Sequence, residues 1–231
     1  MTSVITPELR DRVRNLAVPV ALALGRLGLS PNALTVIGFG IAVIAAVAAA
    51  QQRWVLAGLL VIVGGVFDLF DGALARATNR VSRVGAFLDS VFDRAGEAVL
   101  FVGIGWACVR ANFDAGAILA GAAMAASFMV SYVRAKSESL GFTPGTGMAN
   151  VGLAPREVRL VIVTIGLLLT GLNGGVVTPI TVVGLTDLTW WAGRPVLAIT
   201  LGLITVLATI TAIQRILHVI RQPQPTSEEH E

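Results

Sequence analysis

Long apolar stretches, interrupted by short polar segments, occupy most of the chain from residue 31 onward. A helix of about 20 apolar residues crosses the hydrocarbon core of a bilayer, and it pairs all of its own backbone groups in lipid. The pattern therefore predicts an all-α integral membrane protein with six transmembrane helices. The predicted spans lie near residues 33–50, 55–76, 85–109, 115–136, 158–176 and 195–218.

The N-terminal segment has a different pattern. Residues 5–28 combine arginines with leucines and valines, which is typical of a basic amphipathic helix lying on a membrane surface. A frayed polar tail is the alternative interpretation. The predicted organisation is an N-terminal amphipathic juxtamembrane helix over residues 1–30, a six-helix membrane domain over 31–220, and a polar, disordered tail over 221–231.

Composition agrees with a membrane protein. The chain has 231 residues, of which 55% are hydrophobic and 13% are charged, whereas soluble domains carry about 25% charged residues. The formal net charge of +3 does not indicate a nucleic-acid partner, because the basic residues cluster at the ends of the spans. The single cysteine, Cys108, excludes an intrachain disulfide.

Basic residues are unequally divided between the two sides of the predicted bundle. The far side carries only Arg53, Arg110 and Arg194. The side that holds both termini carries Arg10, Arg12, Arg14, Arg26, Arg76, Arg80, Arg83, Arg134, Lys136, Arg156, Arg159, Arg215 and Arg221, with Arg94 just inside the third span. The positive-inside rule predicts that both termini and this side face the cytoplasm, in the cell (inner or plasma) membrane.

Four aspartates stand out in residues 68–93, within otherwise apolar helices. Each intramembrane Asp costs about 2.5–3.5 kcal/mol on insertion scales, so such acids indicate function. Asp68 and Asp71 are three residues apart, and Asp89 and Asp93 are four apart, so each pair shares one helical face. The short connection between the two helices predicts that they are antiparallel neighbours whose carboxylates converge.

Converging carboxylates repel one another unless cations compensate them. Mg²⁺ and Mn²⁺ prefer oxygen ligands, and two such ions held by acids form the usual site for phosphoryl displacement. The sequence therefore predicts two divalent cations held by the four aspartates. An ion-coupled transporter and a purely structural neutralisation by arginines are the alternatives.

Small and basic residues accompany the acids. Gly72, Ala75 and Gly85 leave gaps beside them, while Arg76 and Ser82 offer groups that bind phosphate. This combination suits a nucleotide diphosphate.

Three further polar residues lie close by in sequence. Asn32 and Thr35 open the first span, where both could hydrogen-bond a nucleotide base, although helix capping explains Asn32 equally well. Glu97 follows Asp93 by one turn and is interpreted as structural support that orients Arg94 or another partner.

The acids and small residues resemble the signature of the CDP-alcohol phosphotransferase family, D-x2-D-G-x2-A-R-x8-G-x3-D-x3-D. Every fixed position is filled with the correct spacing, by Asp68, Asp71, Gly72, Ala75, Arg76, Gly85, Asp89 and Asp93. The six-helix layout and the N-terminal surface helix extend the resemblance over nearly the whole chain.

The resemblance implies an enzyme that transfers a phosphatidyl group from CDP-diacylglycerol, or a related CDP-lipid, to an alcohol and releases CMP. It implies that the first three aspartates bind the metals and that Asp93 is the general base and a further metal ligand. Gly72, Ala75 and Arg76 would hold the CDP moiety. The family is also expected to form homodimers.

Five cations on the aspartate side bear on the choice of alcohol. These are Arg134, Lys136, Arg156, Arg159 and Arg215. Together they predict a second anion site, which a phosphorylated alcohol would need. Ordinary positive-inside charge with snorkelling side chains is the alternative for each residue.

The sequences around these cations resemble the phosphatidylinositol phosphate synthases. The matching stretches are SYVRAK at 131–136, the two arginines at 156–159, and Gln214–Arg215. The order Pro155-Arg156-Glu157-Val158-Arg159 departs from the usual E-R-P-E-R. The resemblance implies inositol 1-phosphate as the acceptor, with glycerol 3-phosphate as the alternative.

Overall fold

The computed structural model describes residues 7–142, 151–176 and 193–222, with side chains described from residue 17 onward. These ranges contain seven α-helices and no strand. The helices are α1 (Pro7–Arg26), α2 (Pro31–Ala50), α3 (Trp54–Ala77), α4 (Arg83–Arg110), α5 (Asp114–Ser139), α6 (Arg156–Leu172) and α7 (Gly193–Ile220).

Each predicted span coincides with one helix from α2 to α7, so the helical class is confirmed. The largest boundary difference is at α6, which ends four residues before the predicted end of its span. Gly174 and Gly175 follow it with φ angles of 84° and 74°, a left-handed conformation that glycine adopts without strain and that ends a helix.

Four of the described helices, α2, α3, α5 and α7, are long and apolar enough to cross a membrane. The protein is therefore a multi-pass membrane protein. Helix α6 has only 17 residues, and α4 carries several charged residues in its first half. The Trp190–Trp191 stretch and the C-terminal tail from residue 223 onward lie outside the described residues.

Helix α1 confirms that the N-terminal segment is helical. Its described part packs on α3, where Ala17 and Ala21 contact a small cluster with Leu34 and Leu74. The side chains before residue 17 are outside the description, so the amphipathic surface placement remains a prediction.

Helix α2 packs against both α3 and α4, whereas α3 and α4 make little direct contact. The two aspartate-bearing helices, predicted to be antiparallel neighbours, are therefore joined through α2 rather than packed directly on each other. Glycines favour the packing of α2 on α3, because Gly38 and Gly64 let the two helices approach closely. On the other side of the bundle, α5 joins α4 to α7, and α6 contacts α3 and α7.

A buried ion pair links α4 to α6. Arg159 donates from Nε to Glu97 Oε1 and from Nη2 to Glu97 Oε2, both at 2.8 Å, and the two side chains are only 1% and 7% exposed. A third bond runs from Arg159 Nη1 to Ala154 O. The interpretation of Glu97 as structural support is confirmed, and its partner is Arg159.

The close crossing of α2 and α4 depends on Gly103. A Cβ there would run into the backbone carbonyl of Ala46, whereas a Cβ on Gly105 in the same helix would meet only Ala120 Cβ at 3.7 Å. We expect Gly103→Ala to destabilise the detergent-solubilised protein by about 1–3 kcal/mol, because two backbones must separate.

Thermal unfolding in detergent checks this expectation. Gly105→Ala is the matched control and should be neutral or stabilising by up to about 1 kcal/mol, through helix propensity alone. Equal melting temperatures for the two variants would contradict the close crossing.

Candidate active site

The predicted carboxylates meet where the C-terminal half of α3 and the N-terminal half of α4 face a common space. Helix α4 begins in the required place because Ser82 caps it, its hydroxyl accepting from the Gly85 N–H at 3.0 Å. Asp68 lies within electrostatic reach of Asp71, Asp89 and Asp93. The four acids are thus in the same region of the molecule although the helices do not pack together, and their convergence on one point remains a prediction.

Arg156, the first residue of α6, bridges the two helices. Its Nη2 lies 2.9 Å from Asp68 Oδ2 and 2.8 Å from Asp93 Oδ1. Arg94 makes a longer contact of 3.4 Å with the other oxygen of Asp93. The sequence assigned Arg156 to the acceptor phosphate, and its contact with the aspartates was missed.

Thr35 of α2 holds Asp71. Its hydroxyl donates to Asp71 Oδ2 at 2.7 Å, and both residues are buried. The sequence placed Thr35 beside a nucleotide base, whereas the structure gives its hydroxyl to a carboxylate. Asp89 is half-buried and lies within electrostatic reach of Arg94 and Arg156.

The donor set fits Mg²⁺ or Mn²⁺ in chemistry, since it consists of carboxylate oxygens whose four charges exceed those of Arg94 and Arg156. In the described part of the chain, however, no three acidic, His or Cys side chains are close enough to hold a metal ion as they stand. Asp68 and Asp93 are turned toward Arg156, and Asp71 toward Thr35. Metal binding would therefore require these contacts to rearrange.

An apolar cleft extends from the aspartates between α2, α3, α4 and α6. Asp68, Asp93, Glu97 and Arg156 are its charged lining residues. Along α2 the lining runs from Thr35 to Ala45, ten residues or about 15 Å of helix. The cleft thus offers an apolar wall next to charged groups.

The residues predicted to bind CDP-lipid fall into two groups. Arg76 folds its guanidinium over Gly72, where an added Cβ would lie 3.2 Å from Nη1. The second group lies at the start of α4, where Asn32 and Ser82 both flank Gly85. An added Cβ on Gly85 would lie 3.2 Å from Asn32 Oδ1 and 3.1 Å from Ser82 Oγ. Ala75 is half-buried on the turn of α3 that precedes Arg76.

The five predicted acceptor-site cations are in different environments. Lys136 is exposed, and Arg134 pairs with Glu138 at 2.8 Å on the surface of α5. Arg159 is engaged by Glu97, so a phosphate would have to compete with a buried carboxylate.

Arg215 is buried and donates to two backbone carbonyls, those of Val151 and Val130. It lies within electrostatic reach of Arg94, Arg134 and Arg159. Arg94, Arg134 and Arg159 each pair with a carboxylate, and Glu138 also lies within electrostatic reach of Arg215, whose own described partners are backbone carbonyls.

Known proteins match most of the chain. The model of the CDP-alcohol phosphatidyltransferase family matches residues 28–220. The chain is 36% identical over 169 residues to an archaetidylinositol phosphate synthase of Pyrococcus horikoshii, covering 73% of this chain and 85% of that protein. It is 36% identical over 156 residues to a phosphatidylinositol phosphate synthase of Cutibacterium acnes, covering 67% and 73%.

Solved structures agree. The fold is similar to the crystal structure of Mycobacterium tuberculosis phosphatidylinositol phosphate synthase with CDP-DAG bound, with a TM-score of 0.74 and 26% identity over 90% of this chain and 96% of that chain. The same enzyme in complex with manganese and citrate gives a TM-score of 0.72 at 25% identity, covering 93% and 98%. These matches favour the transferase over the ion-coupled transporter. With its complete eight-residue signature, the chain belongs to the CDP-alcohol phosphatidyltransferase family and is a membrane-bound transferase.

Proposed function

We propose that the protein transfers the phosphatidyl group of CDP-diacylglycerol to the hydroxyl of inositol 1-phosphate, giving phosphatidylinositol phosphate and CMP. The observation that carries the proposal is the meeting of the signature carboxylates with Arg156 beside the apolar cleft. A CDP-lipid has the matching character, since its diphosphate is charged and its diacylglycerol part is apolar.

The named relatives support the choice of substrates. Relatives from archaea and bacteria are inositol phosphate lipid synthases, and a solved neighbour holds CDP-DAG. The concentration of arginines around Arg215 supports an acceptor that carries its own phosphate. The acceptor-site proposal retains Arg134, Lys136, Arg156, Arg159 and Arg215. To bind the phosphate directly, Arg159 would have to leave Glu97, and Arg215 its two carbonyls.

The reaction is a displacement at phosphorus. The acceptor hydroxyl oxygen forms a bond to the phosphorus that bears diacylglycerol, and the bond from that phosphorus to the CMP oxygen breaks. CMP leaves with the electron pair, and the hydroxyl proton passes to Asp93. Asp93 suits this role because its side chain lines the cleft and is 13% exposed, so an alcohol can reach it.

Asp68, Asp71, Asp89 and Asp93 would hold two divalent ions, Mg²⁺ or Mn²⁺. A manganese complex of the solved neighbour supports this choice of metal. Bound cations would supply charge neutralisation for the diphosphate. Gly72, Ala75, Arg76, Ser82, Gly85 and Asn32 would surround the CDP moiety.

Arg156 has a donor available for an anion. Its Nε is buried and finds no acceptor among the described residues. Because Nη2 is shared by two carboxylates, a cation binding to those carboxylates would release the guanidinium. Arg156 would then turn to the acceptor phosphate, so metal binding and acceptor binding are coupled.

We also propose that all six helices α2 to α7 cross the membrane, with both termini and the site on the cytoplasmic side. The charges of α4 support this, because Asp89, Asp93 and Arg94 lie in its N-terminal half, after Arg83, while residues 98–109 are apolar. At 1.5 Å per residue, the 17 residues of α6 span about 26 Å, slightly less than the bilayer core. A homodimer in the inner or plasma membrane completes the proposal.

A release assay tests the reaction. Purified protein with CDP-diacylglycerol and Mg²⁺ or Mn²⁺ should release CMP when inositol 1-phosphate is added, and chelation of the metal should stop release. Glycerol 3-phosphate, inositol and serine serve as competing acceptors. If none of these alcohols gives CMP, the proposed reaction is wrong, and faster turnover with glycerol 3-phosphate would reassign the acceptor.

The role of Asp93 gives a second expectation. Asp93→Asn should lower kcat by at least about 10²–10⁴-fold, because the amide cannot take the hydroxyl proton. CDP-lipid binding in the presence of Mn²⁺, measured by calorimetry, should persist. Substantial remaining turnover would remove Asp93 from the role of base, and lost CDP-lipid binding would make it chiefly a ligand.

Arg156→Ala should change metal affinity and acceptor affinity in opposite directions. Without the competing guanidinium, Mn²⁺ should bind on the order of tenfold more tightly, the worth of a charge-assisted hydrogen bond. The KM for the phosphorylated acceptor should rise at the same time. Arg110→Ala, at the opposite end of α4, is the matched control and should change neither value; unchanged Mn²⁺ affinity in Arg156→Ala would refute the competition.

A further inference from the structure

The five residues before α6 are held by side chains of α7. Arg215 donates from Nε to Val151 O at 3.0 Å. One turn earlier on α7, Thr211 Oγ1 accepts from the backbone N–H groups of Leu153 and Ala154, at 3.1 and 2.9 Å. The backbone of residues 151–155 is therefore paired mainly with a helix that is more than 50 residues away in sequence.

Through its hydroxyl group, Thr211 takes part in three hydrogen bonds. It is fully buried, it accepts two bonds from adjacent amides, and it donates its own proton to Leu207 O at 2.8 Å. Its methyl group also contacts Gly152, which has a φ of 117°. A Cβ on Gly152 would collide with that methyl group, so the loop backbone and Thr211 fit closely.

This segment leads directly into Arg156. Pro155 precedes α6 without any side-chain cap, so the start of α6 has no local anchor of that kind. Ala154 is fully buried, and its two backbone groups are bonded to Thr211 and Arg159. The backbone that enters α6 just before Arg156 is therefore held by α7 and by Arg159, in addition to the packing of α6 itself on α3 and α7.

We propose that Thr211 is a positioning residue that aims Arg156 at Asp68 and Asp93. Thr211 itself touches neither carboxylate; it acts by fixing the two amides that lie two and three residues before Arg156. The consequence for substrate rests on the proposed function, in which Arg156 competes with the metal and then binds the acceptor phosphate.

Three variants test the proposal. Thr211→Val keeps the shape and loses the acceptor, Thr211→Ser keeps the hydroxyl, and Thr200→Val is the matched control. Thr200 is buried on the same helix, and its hydroxyl donates to Val196 O at 2.8 Å in the same manner. If the valine variant fails to fold, Thr211→Cys, whose sulfur is only a weak acceptor, replaces it.

The first measurement is amide hydrogen exchange of residues 151–154 in detergent. Thr211→Val should exchange at least about tenfold faster at Leu153 and Ala154, because two backbone donors, the second of them buried, lose their partner. Thr211→Ser and Thr200→Val should match the native protein. Unchanged exchange in Thr211→Val would overturn the proposal without reference to any substrate.

The second measurement is Mn²⁺ affinity, which needs no acceptor. Thr211→Val should tighten Mn²⁺ binding part of the way toward the value of Arg156→Ala, and it should have no further effect when added to Arg156→Ala. An equal effect in both backgrounds, or none in either, means that Thr211 does not act through Arg156.

Turnover separates this proposal from the proposed function. Thr211→Val should raise the KM for the phosphorylated acceptor severalfold and leave the KM for CDP-lipid unchanged, with rescue by Thr211→Ser. A parallel rise of both constants would indicate a merely structural role and overturn the proposal. If the native protein releases no CMP with any acceptor, the proposed function fails, while exchange and Mn²⁺ binding still decide the role of Thr211.

Discussion

The constraint on which the rest depends is that acidic side chains inside an apolar helical bundle must find cations. Asp93 and Glu97 lie one turn apart on α4, and Arg156 and Arg159 lie three residues apart on α6. The two arginines meet the two acids in the same order, so two ion pairs join helices whose backbones are not in close contact. These two pairs tie α6 to α4, in addition to the packing of α6 on α3 and α7.

The two ion pairs differ in exposure, so one suits a structural role and the other suits exchange with a ligand. The Arg159–Glu97 pair is sealed, and removing one partner from such a pair costs about 3–5 kcal/mol. The Arg156–Asp93 pair lies at the cleft with side chains 24% and 13% exposed, where water and ligands can replace the contact. The inner pair can therefore hold α6 in register while the outer pair is exchanged during a catalytic cycle.

Helices and signature residues could be predicted from the sequence because both depend on local spacing. Apolar runs of about 20 residues give helices α2 to α7, and the i, i+3 and i, i+4 spacings place each pair of aspartates on one face. Helix packing was less accessible. Glycines recur in several helices, and the sequence does not show which of them lie at close crossings. An added Cβ would meet the Ala46 carbonyl at Gly103 but nothing within 4 Å at Gly40 or Gly121.

The sequence by itself determined the helical membrane class, the family and the acids proposed to carry the chemistry, since an eight-residue pattern is a local property of the chain. Only the tertiary structure decided which cation serves which acid. Arg159 reaches Glu97 across 62 residues, and Thr211 reaches Ala154 across 57. Such pairings depend on how helices are arranged around α2, and a linear pattern of basic residues does not distinguish a phosphate ligand from an internal partner.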